Sequence, residues 1–591
     1  MWAVMFSDPY RTVILSILGS ILLLSFLLIN KYFYPKKEIS FFKLLILISL
    51  LPLLSLLRPG VYESGDFSIH IYRSMEFYQS LQEGHLMPSW AGNLNATYGY
   101  PLFKFNYVFP YYIISFFHFI GFSFVTSMKL FFAFCFIFSG ISMYYLGKTL
   151  FKNDLSAFTS SIFYLFAPYH LISVHFKNTI GEIFVFVTIP LIFVFIEKFK
   201  QDKKLSYLLL SGLFLGITAL GHMFIAMALI PVIFTYTLIC LRKIIYSGIY
   251  STCIILIAGL ISLYQWGAIL IYSNSLYTSL YPIDINNLYY PTLRDLLYSP
   301  WKLGFLFQGS YGEISNLLGY VQIFILVSIV YFLLKGRVSK KLQTNLIFLL
   351  FIVSITIFMV NRASIDIWSL FPFINAAGPH RLLILTTFSI SLIAGYYVLI
   401  KNKNKKLIYI LIFLCIGTTI LNWGNRRVIS SFNDKTLRDF IPYSTYRTER
   451  HFYANTKWVN PDYLWFSNPP KTKIEILEGN AKIIGIKRNS TEHTYIIDAK
   501  SPLTVRENTL YFPDWSLKSN GKNISIYPDK NGVISAKLPA GLQIVKLKYD
   551  DLLIFKIYKL ISAVTLFSLI LFVSYKFIRQ RTTKSLIFKH H

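Results

Sequence analysis

Asp66, His70 and Arg73 lie in the stretch SGDFSIHIYRS, and on a helix they fall at i, i+4 and i+7, on one face. A carboxylate ionised at that point can take a proton from an attacking hydroxyl, and the imidazole and guanidinium beside it can hold an anionic group. The same residues have a plain structural account. An acid just after a Ser64 cap is favoured by the free N–H groups and the dipole of a helix start. Histidine and arginine at a membrane surface often do no more than touch headgroups.

A second set follows in YHLISVHFKNTIGEIF, where His170, His175, Lys177 and Glu182 surround a short turn between two apolar stretches. An ionisable side chain at membrane depth needs a partner or a water-filled cavity, which makes Glu182 a functional candidate. Its structural account is a pair with Lys177, although a spacing of five suits one helical face poorly. GHMF sets His222 in a tight turn, and INAAGPHRLL sets His380 and Arg381 at the mouth of a span. Arg381 there can snorkel to the interface or clamp a phosphate through its planar fork. SPWKLGFLFQGSYGEISNLLG adds Trp301, Lys302, Gln308, Tyr311 and Glu313 in a Gly-rich loop.

The elements that must position these groups are membrane helices. The chain of 591 residues is 55% hydrophobic, 18% aromatic and only 14% charged, a balance that would aggregate in water. About 13 windows reach spanning length: 11–30, 40–57, 124–147, 155–173, 179–199, 205–220, 222–241, 248–271, 316–335, 342–360, 380–400, 406–423 and 556–578. The stretch Pro101–Gly121 is left out, because its Lys104, Asn106 and Pro110 suit an interfacial or re-entrant helix. With that choice, NKYFYPKK, GKTLFKND, EKFKQDKK, LRKIIYS, KGRVSKK, KNKNKK and the tail KFIRQRTTK all fall on one side. That is the positive-inside pattern, and it accounts for the net charge of +30 without nucleic acid, which would want one basic stripe on a folded surface.

The resulting division is 1–423 as the membrane domain, with a first outer loop at 58–123; 424–555 as an extracytoplasmic domain; and 556–591 as a last span with a basic cytoplasmic tail. Runs such as KIEILEG, KIIGIKR and HTYIIDA, with Asn-Gly turn signals after them, predict a small β-sandwich within 424–555. Cys135, Cys240, Cys253 and Cys415 lie inside apolar segments and read as packing residues. The sequence has no Walker loop, no Gly-x-Ser-x-Gly elbow and no His-Glu-x-x-His.

An early acid in the first outer loop, an aromatic interfacial helix and a second acid between later spans resemble the GT-C glycosyltransferases. The stretch GDFSIHIYR…GHLMPSWAGNLNATYGYPLFKFNYVFPYYI is similar to bacterial membrane proteins labelled 6-pyruvoyl-tetrahydropterin synthase-related, and LYFPDWSLKSNGK…GVISAKLPAGLQIVKLKY to the β-domain of YfhO-type members. The resemblance implies a GT-C-like all-α polytopic protein of the bacterial cytoplasmic membrane, with a small β-sandwich before the last span. It implies transfer of a sugar from a polyprenyl-phosphate donor to a glycan, lipid or protein acceptor outside the cytoplasm. Asp66 then matches the catalytic base and Glu182 the second acidic position, while His70, Arg73, His175, Lys177, His222, His380 and Arg381 are candidates for binding the substrate or the lipid phosphate. Asp66 is preceded by Gly65, with Glu63 the nearest second acid, and the only cofactor implied is a divalent cation, magnesium or manganese. Two other readings stand beside it: a lipid-linked glycan flippase, whose repeated halves and mid-membrane polar sites are not visible here, and an assembly protein in which Asp66 and Glu182 are dispensable.

Overall fold

The structure is a computed structural model describing residues 9–588 apart from 35–39, 59, 63–64, 281–283, 299–315, 371–377, 402–403, 421–422, 424–427, 431–432, 441–454 and 461–468. The loop residues Trp301, Lys302, Gln308, Tyr311 and Glu313 lie outside the described residues.

Seven helices among the described residues are long and apolar enough to cross a bilayer: Phe124–Phe151, Ile180–Asp202, Met223–Leu241, Ile244–Ile261, Lys340–Val360, Pro379–Ile400 and Leu553–Lys576. A bent pair, Asp154–Leu165 and Pro168–Lys177, makes an eighth if read as one span, and Phe41–Leu57, Leu205–Gly221 and Tyr320–Leu334 are shorter apolar helices. Pro9–Phe33 and Lys405–Gly417 are helical as well. Each expected span therefore overlaps helix: 248–271 falls on Ile244–Ile261 and the separate helix Leu263–Tyr272, and Lys405–Gly417 stops short of 423. Ile180–Asp202 and Pro379–Ile400 are the most enclosed, with 83% and 89% of their apolar windows buried, so they can carry polar groups that lipid would not tolerate. Leu553–Lys576, at 6%, is left to face lipid.

Two segments depart from regular helix, and both matter for the site. The span expected over 155–173 bends by 47°. Pro168 starts the second piece with no N–H to donate, and Ala167 before it is extended (φ −66°, ψ 131°). The second piece then widens into a π-turn, Ser173–Lys177, closed by Asn178 in the left-handed region (φ 53°). Pro101–Gly121 forms two short helices, Leu102–Phe105 and Phe109–Phe119, split at Asn106–Val108.

The strands are β1 (Val61–Tyr62), β2 (Val428–Ser430), β3 (Ile474–Glu478), β4 (Ala481–Arg488), β5 (Glu492–Ala499), β6 (Leu503–Leu510), β7 (Trp515–Ser519), β8 (Lys522–Ile524), β9 (Ile526–Pro528), β10 (Val533–Leu538) and β11 (Gly541–Tyr549). Antiparallel sheets of order β3-β6-β10-β9 and β4-β5-β11-β7-β8 enclose an apolar layer that includes Ile474, Tyr495, Val505, Leu517, Val545 and Leu547. Alternation along β5 and β11 puts one face in that layer and one outside, as period-two sequence requires.

The loop 58–123 is bolted both to β2, which forms a separate two-stranded sheet with β1, and to the sandwich. β1 pairs with β2, Glu83 accepts from the Ser490 N–H (3.1 Å) and hydroxyl (3.0 Å), and His85 meets Thr491 at 2.8 Å. Deeper in, Lys104 is fully buried between Asp514 and Asp551 (2.9 Å to Asp551), and Lys559 of the last helix meets Asp551 at 2.6 Å. Tyr272 donates to Asp514 at 2.8 Å, and its ring lies 4.1 Å below the Lys104 ammonium. Burial would raise the Asp551 carboxyl, but Lys104 and Lys559 overcome it and hold it at about 2.

Candidate active site

The π-turn is what brings the first loop to the membrane helices. Gly65 N–H donates to the Phe176 carbonyl and Asp66 N–H to the Lys177 carbonyl, both at 2.8 Å. A side chain at 65 could not fit: a Cβ there would stand 2.9 Å from the Lys177 oxygen and 3.3 Å from its Cα. Asp66 then begins the helix Phe67–Gln82. Gly65→Ala is expected to push the two backbones apart and cut site activity by roughly 100-fold, the effect of a misplacement of about 1 Å. Gly248→Ala, which meets nothing within 4 Å, serves as the comparison, and the check is activity per folded protein in membranes.

Across from Asp66 stands a cluster centred on Glu182, in the first turn of Ile180–Asp202. One oxygen of Glu182 meets Lys177 at 2.7 Å and accepts from the Tyr169 hydroxyl at 2.9 Å; the other meets Arg381 Nε at 3.0 Å. The left-handed Asn178 closes the sequence gap of five that a single helix face would leave open. Lys177 also donates to Tyr169 at 3.0 Å. His222 and His380 belong to the same cluster around Glu182, and Tyr107 stacks on His222 at 6.0 Å. Thr179 Oγ1, His222 Nδ1 and His380 Nδ1 are buried without a hydrogen-bond partner among the described residues.

Asp66 differs from Glu182 in that its carboxylate makes no hydrogen bond or ion pair among the described residues, and the residue is half-buried. Burial raises it above the ordinary value of 3.8, while Arg381, Arg73 and Lys177 pull it back. One acid is thus fully engaged with cations, and the other sits in their field with its oxygens unclaimed.

The remaining candidates divide. His70 is held from both sides, Nδ1 by the Tyr111 hydroxyl (2.9 Å) and Nε2 by that of Tyr107 (3.1 Å). Burial and Arg73 push its pKa well down, so it is a neutral strut between tyrosines. His175 turns away from Glu182 and meets Ser55 at 3.4 Å. His170 stacks on Phe186 at 3.8 Å, inside the helix packing. Tyr107, Tyr111 and Tyr169 line the candidate site and were missed by sequence reasoning; the signal was a tyrosine next to a proline for Tyr111 and Tyr169, and three residues before one for Tyr107.

A divalent cation does not fit this donor set. Both Glu182 oxygens are taken by cations, and no group of three His, Cys, Asp or Glu side chains gathers among the described residues.

Residues 107–266 match the family described as dolichyl-phosphate-mannose-protein mannosyltransferase. The match begins at Tyr107 and runs through Lys177, Glu182 and His222. A protein of Lactococcus lactis subsp. cremoris (strain MG1363), named only as an uncharacterized protein, is 21% identical over 214 residues, covering 36% of this chain and 35% of that one. Among solved structures, the arabinofuranosyltransferase AftD from mycobacteria aligns with 12% identity and a TM-score of 0.39, covering 67% of this chain and 27% of that one. The chain therefore spans about a third of that relative's length and about a quarter of that structure's. The family match likens the region 107–266, about a quarter of the chain, to membrane mannosyltransferases, in keeping with the resemblance that the sequence carries.

Proposed function

We propose that the chain transfers a sugar from a polyprenyl-phosphate donor to an acceptor hydroxyl outside the cytoplasm of a bacterial cell, with inversion at the anomeric carbon. The observation that carries this reading is the pairing of opposites in one site: an unclaimed Asp66 carboxylate facing Lys177 and Arg381, both oriented by Glu182. The acceptor oxygen attacks the anomeric carbon as its proton passes to Asp66. The bond from that carbon to the phosphate oxygen breaks, and its electron pair leaves with the lipid phosphate, which gains one negative charge. Arg381 and Lys177 meet that charge as it grows, which is where electrostatic catalysis is most effective. The free Nδ1 atoms of His222 and His380 and the Thr179 hydroxyl offer further contacts to phosphate or sugar. Glu182 acts as the positioning residue for both cations, and no step passes through a metal.

The test combines genetics and chemistry. A strain lacking the gene is profiled for surface glycans, glycolipids and glycoproteins, and the full chain in membranes is given polyprenyl-phosphate pentoses and hexoses. The expected result is one missing sugar in the strain and transfer of that sugar with inverted configuration in membranes. An unchanged surface profile together with no transfer overturns the reading in favour of assembly, and loss of a whole glycan without transfer favours a flippase.

The rate should also report the base. Only ionised Asp66 accepts the proton, so the acid limb is expected above the ordinary aspartate value, because burial raises this group. Arg73→Gln removes a charge that favours the ionised form and is expected to move the limb to higher pH still, read from initial rates across external pH. A limb unmoved by Arg73→Gln would assign it to another group.

A further inference from the structure

The outer face of the sheet β4-β5-β11-β7-β8 carries a charge pattern that the sandwich does not balance by itself. Alternation turns Tyr495, Ile497, Val545, Leu547 and Leu517 inward, so their neighbours along each strand face out. Register then sets Lys487 opposite Thr494, Thr494 opposite Lys546, and Lys546 opposite Lys518. The result is one row of side chains across four strands, about 5 Å apart from strand to strand. Two other lysines of this face stand opposite acids: Lys548 meets Glu492 at 3.0 Å, and Lys482 pairs in register with Asp498. The row of three has no acid, and none of its lysines makes an ion pair among the described residues. Like charges directly opposite, as at Lys546 and Lys518, cost stability. An acid at 494 would answer two of the three lysines, and a threonine stands there.

Beside the lysine row lie exposed aliphatic side chains, with Ile496 opposite Ile544 and Leu542 two residues further along β11. An aliphatic centre with a border of one charge is the make-up of a protein-binding patch. The order of the rows speaks against lipid. Only Asp550–Leu552 separate β11 from the membrane helix Leu553–Lys576, and along β11 the lysine lies nearer that helix than the aliphatics do. A face that enters a bilayer has the reverse order. A second copy fits no better, because a two-fold contact through this face would set its lysines against their own equivalents. Strands β5, β11 and β7 are bonded on both sides, so a partner meets side chains and adds no strand.

We propose that this face docks a different protein, one that presents aliphatic side chains beside a row of carboxylates. The aliphatics cover Ile496, Ile544 and Leu542, and the carboxylates answer Lys487, Lys546 and Lys518. The docking does not depend on the transfer reaction.

The test places p-benzoyl-phenylalanine at position 542 of the full chain, in the cells that carry the gene, and reads photo-adducts by mass spectrometry. One adduct with a different protein is expected, and its cross-linked peptide should hold carboxylates beside aliphatic residues. Lys518→Gln together with Lys546→Gln should cut the adduct yield on the order of tenfold, the effect of removing matched charges at an interface. Lys530→Gln together with Lys537→Gln removes the same charge from exposed positions elsewhere on the sandwich and should leave the yield unchanged. Thr494→Glu supplies the missing acid, so it should raise the thermal stability of the solubilised chain while abolishing the adduct, which separates lost docking from misfolding. Equal loss in the two lysine pairs, or an adduct untouched by Thr494→Glu, overturns the proposal. So does the absence of any adduct, or an adduct confined to lipid or to this chain itself, within one copy or between two.

Discussion

Asp66→Asn is expected to lower the transfer rate by roughly 10³-fold, within the range that a positioned general base supplies, while the protein reaches the membrane in normal amount. Asparagine keeps the shape of the side chain and the backbone bond to Lys177, so the effect isolates proton acceptance. The two kinetic constants should separate. Removing a negative charge from the field of Arg381, Arg73 and Lys177 leaves those cations freer for the donor phosphate, so KM for the donor should hold or fall while kcat collapses. Asp66→Glu should recover part of the rate, since it restores the base one methylene out of register. A rate for Asp66→Asn within about threefold of wild type would remove the base assignment, because the smallest general-base contribution is about 100-fold.

The second large effect concerns stability. Lys104→Met strands Asp514 and one side of Asp551 in an apolar junction and is expected to cost about 3–5 kcal/mol, as when a buried pair loses one partner. The cation also loses its place over the rings of Tyr272 and Phe555, at 4.1 and 4.5 Å. Thermal unfolding of the solubilised chain should drop sharply, and limited proteolysis should cut between the sandwich and the last helix. Lys104→Met combined with Asp514→Asn should recover part of the loss, because the carboxylate left without a counter-charge is then neutral. Asp551 would still be held by Lys559 at 2.6 Å. A double variant no more stable than the single one would mean that the packing of Lys104 matters and its charge does not.

Much of this was legible in the sequence because it is written at short range. Apolar windows and basic connectors located the helices, and period-two runs located strands such as β5 and β11. Asp66 and Glu182 stood out as acids beside apolar stretches, and the structure brings them to one site with Lys177, His222, His380 and Arg381. What failed to read through was geometry that breaks a period. The Lys177–Glu182 pair looked poor at a spacing of five because that judgement assumes one continuous helix, whereas a π-turn and a left-handed Asn178 intervene. His175 looked like a neighbour of Glu182 for the same reason, and the π-turn rotates it onto Ser55. The Lys104 junction was visible only by half. A lysine in an apolar run announces a need for a partner, but nothing local says that Asp514, 410 residues away, supplies it.

That separation has a consequence for how the protein comes into being. At 5–20 residues per second, the ribosome delivers Asp514 roughly 20–80 s after Lys104. Through that interval the first loop holds a buried-type lysine, an unanswered Glu83 and an edge strand at β1, all waiting for partners from the far end of the chain. The loop that carries Asp66 is thus made early, is tied to the π-turn by Gly65 and Asp66, and gains its contacts with the sandwich late. On the proposed function, full activity is therefore tied to completed biogenesis: a half-made chain already contains Asp66 and Glu182, yet the sandwich that braces the first loop arrives only when the final strands dock. A quality-control protease that senses an undocked sandwich would remove inactive copies without ever inspecting the active site.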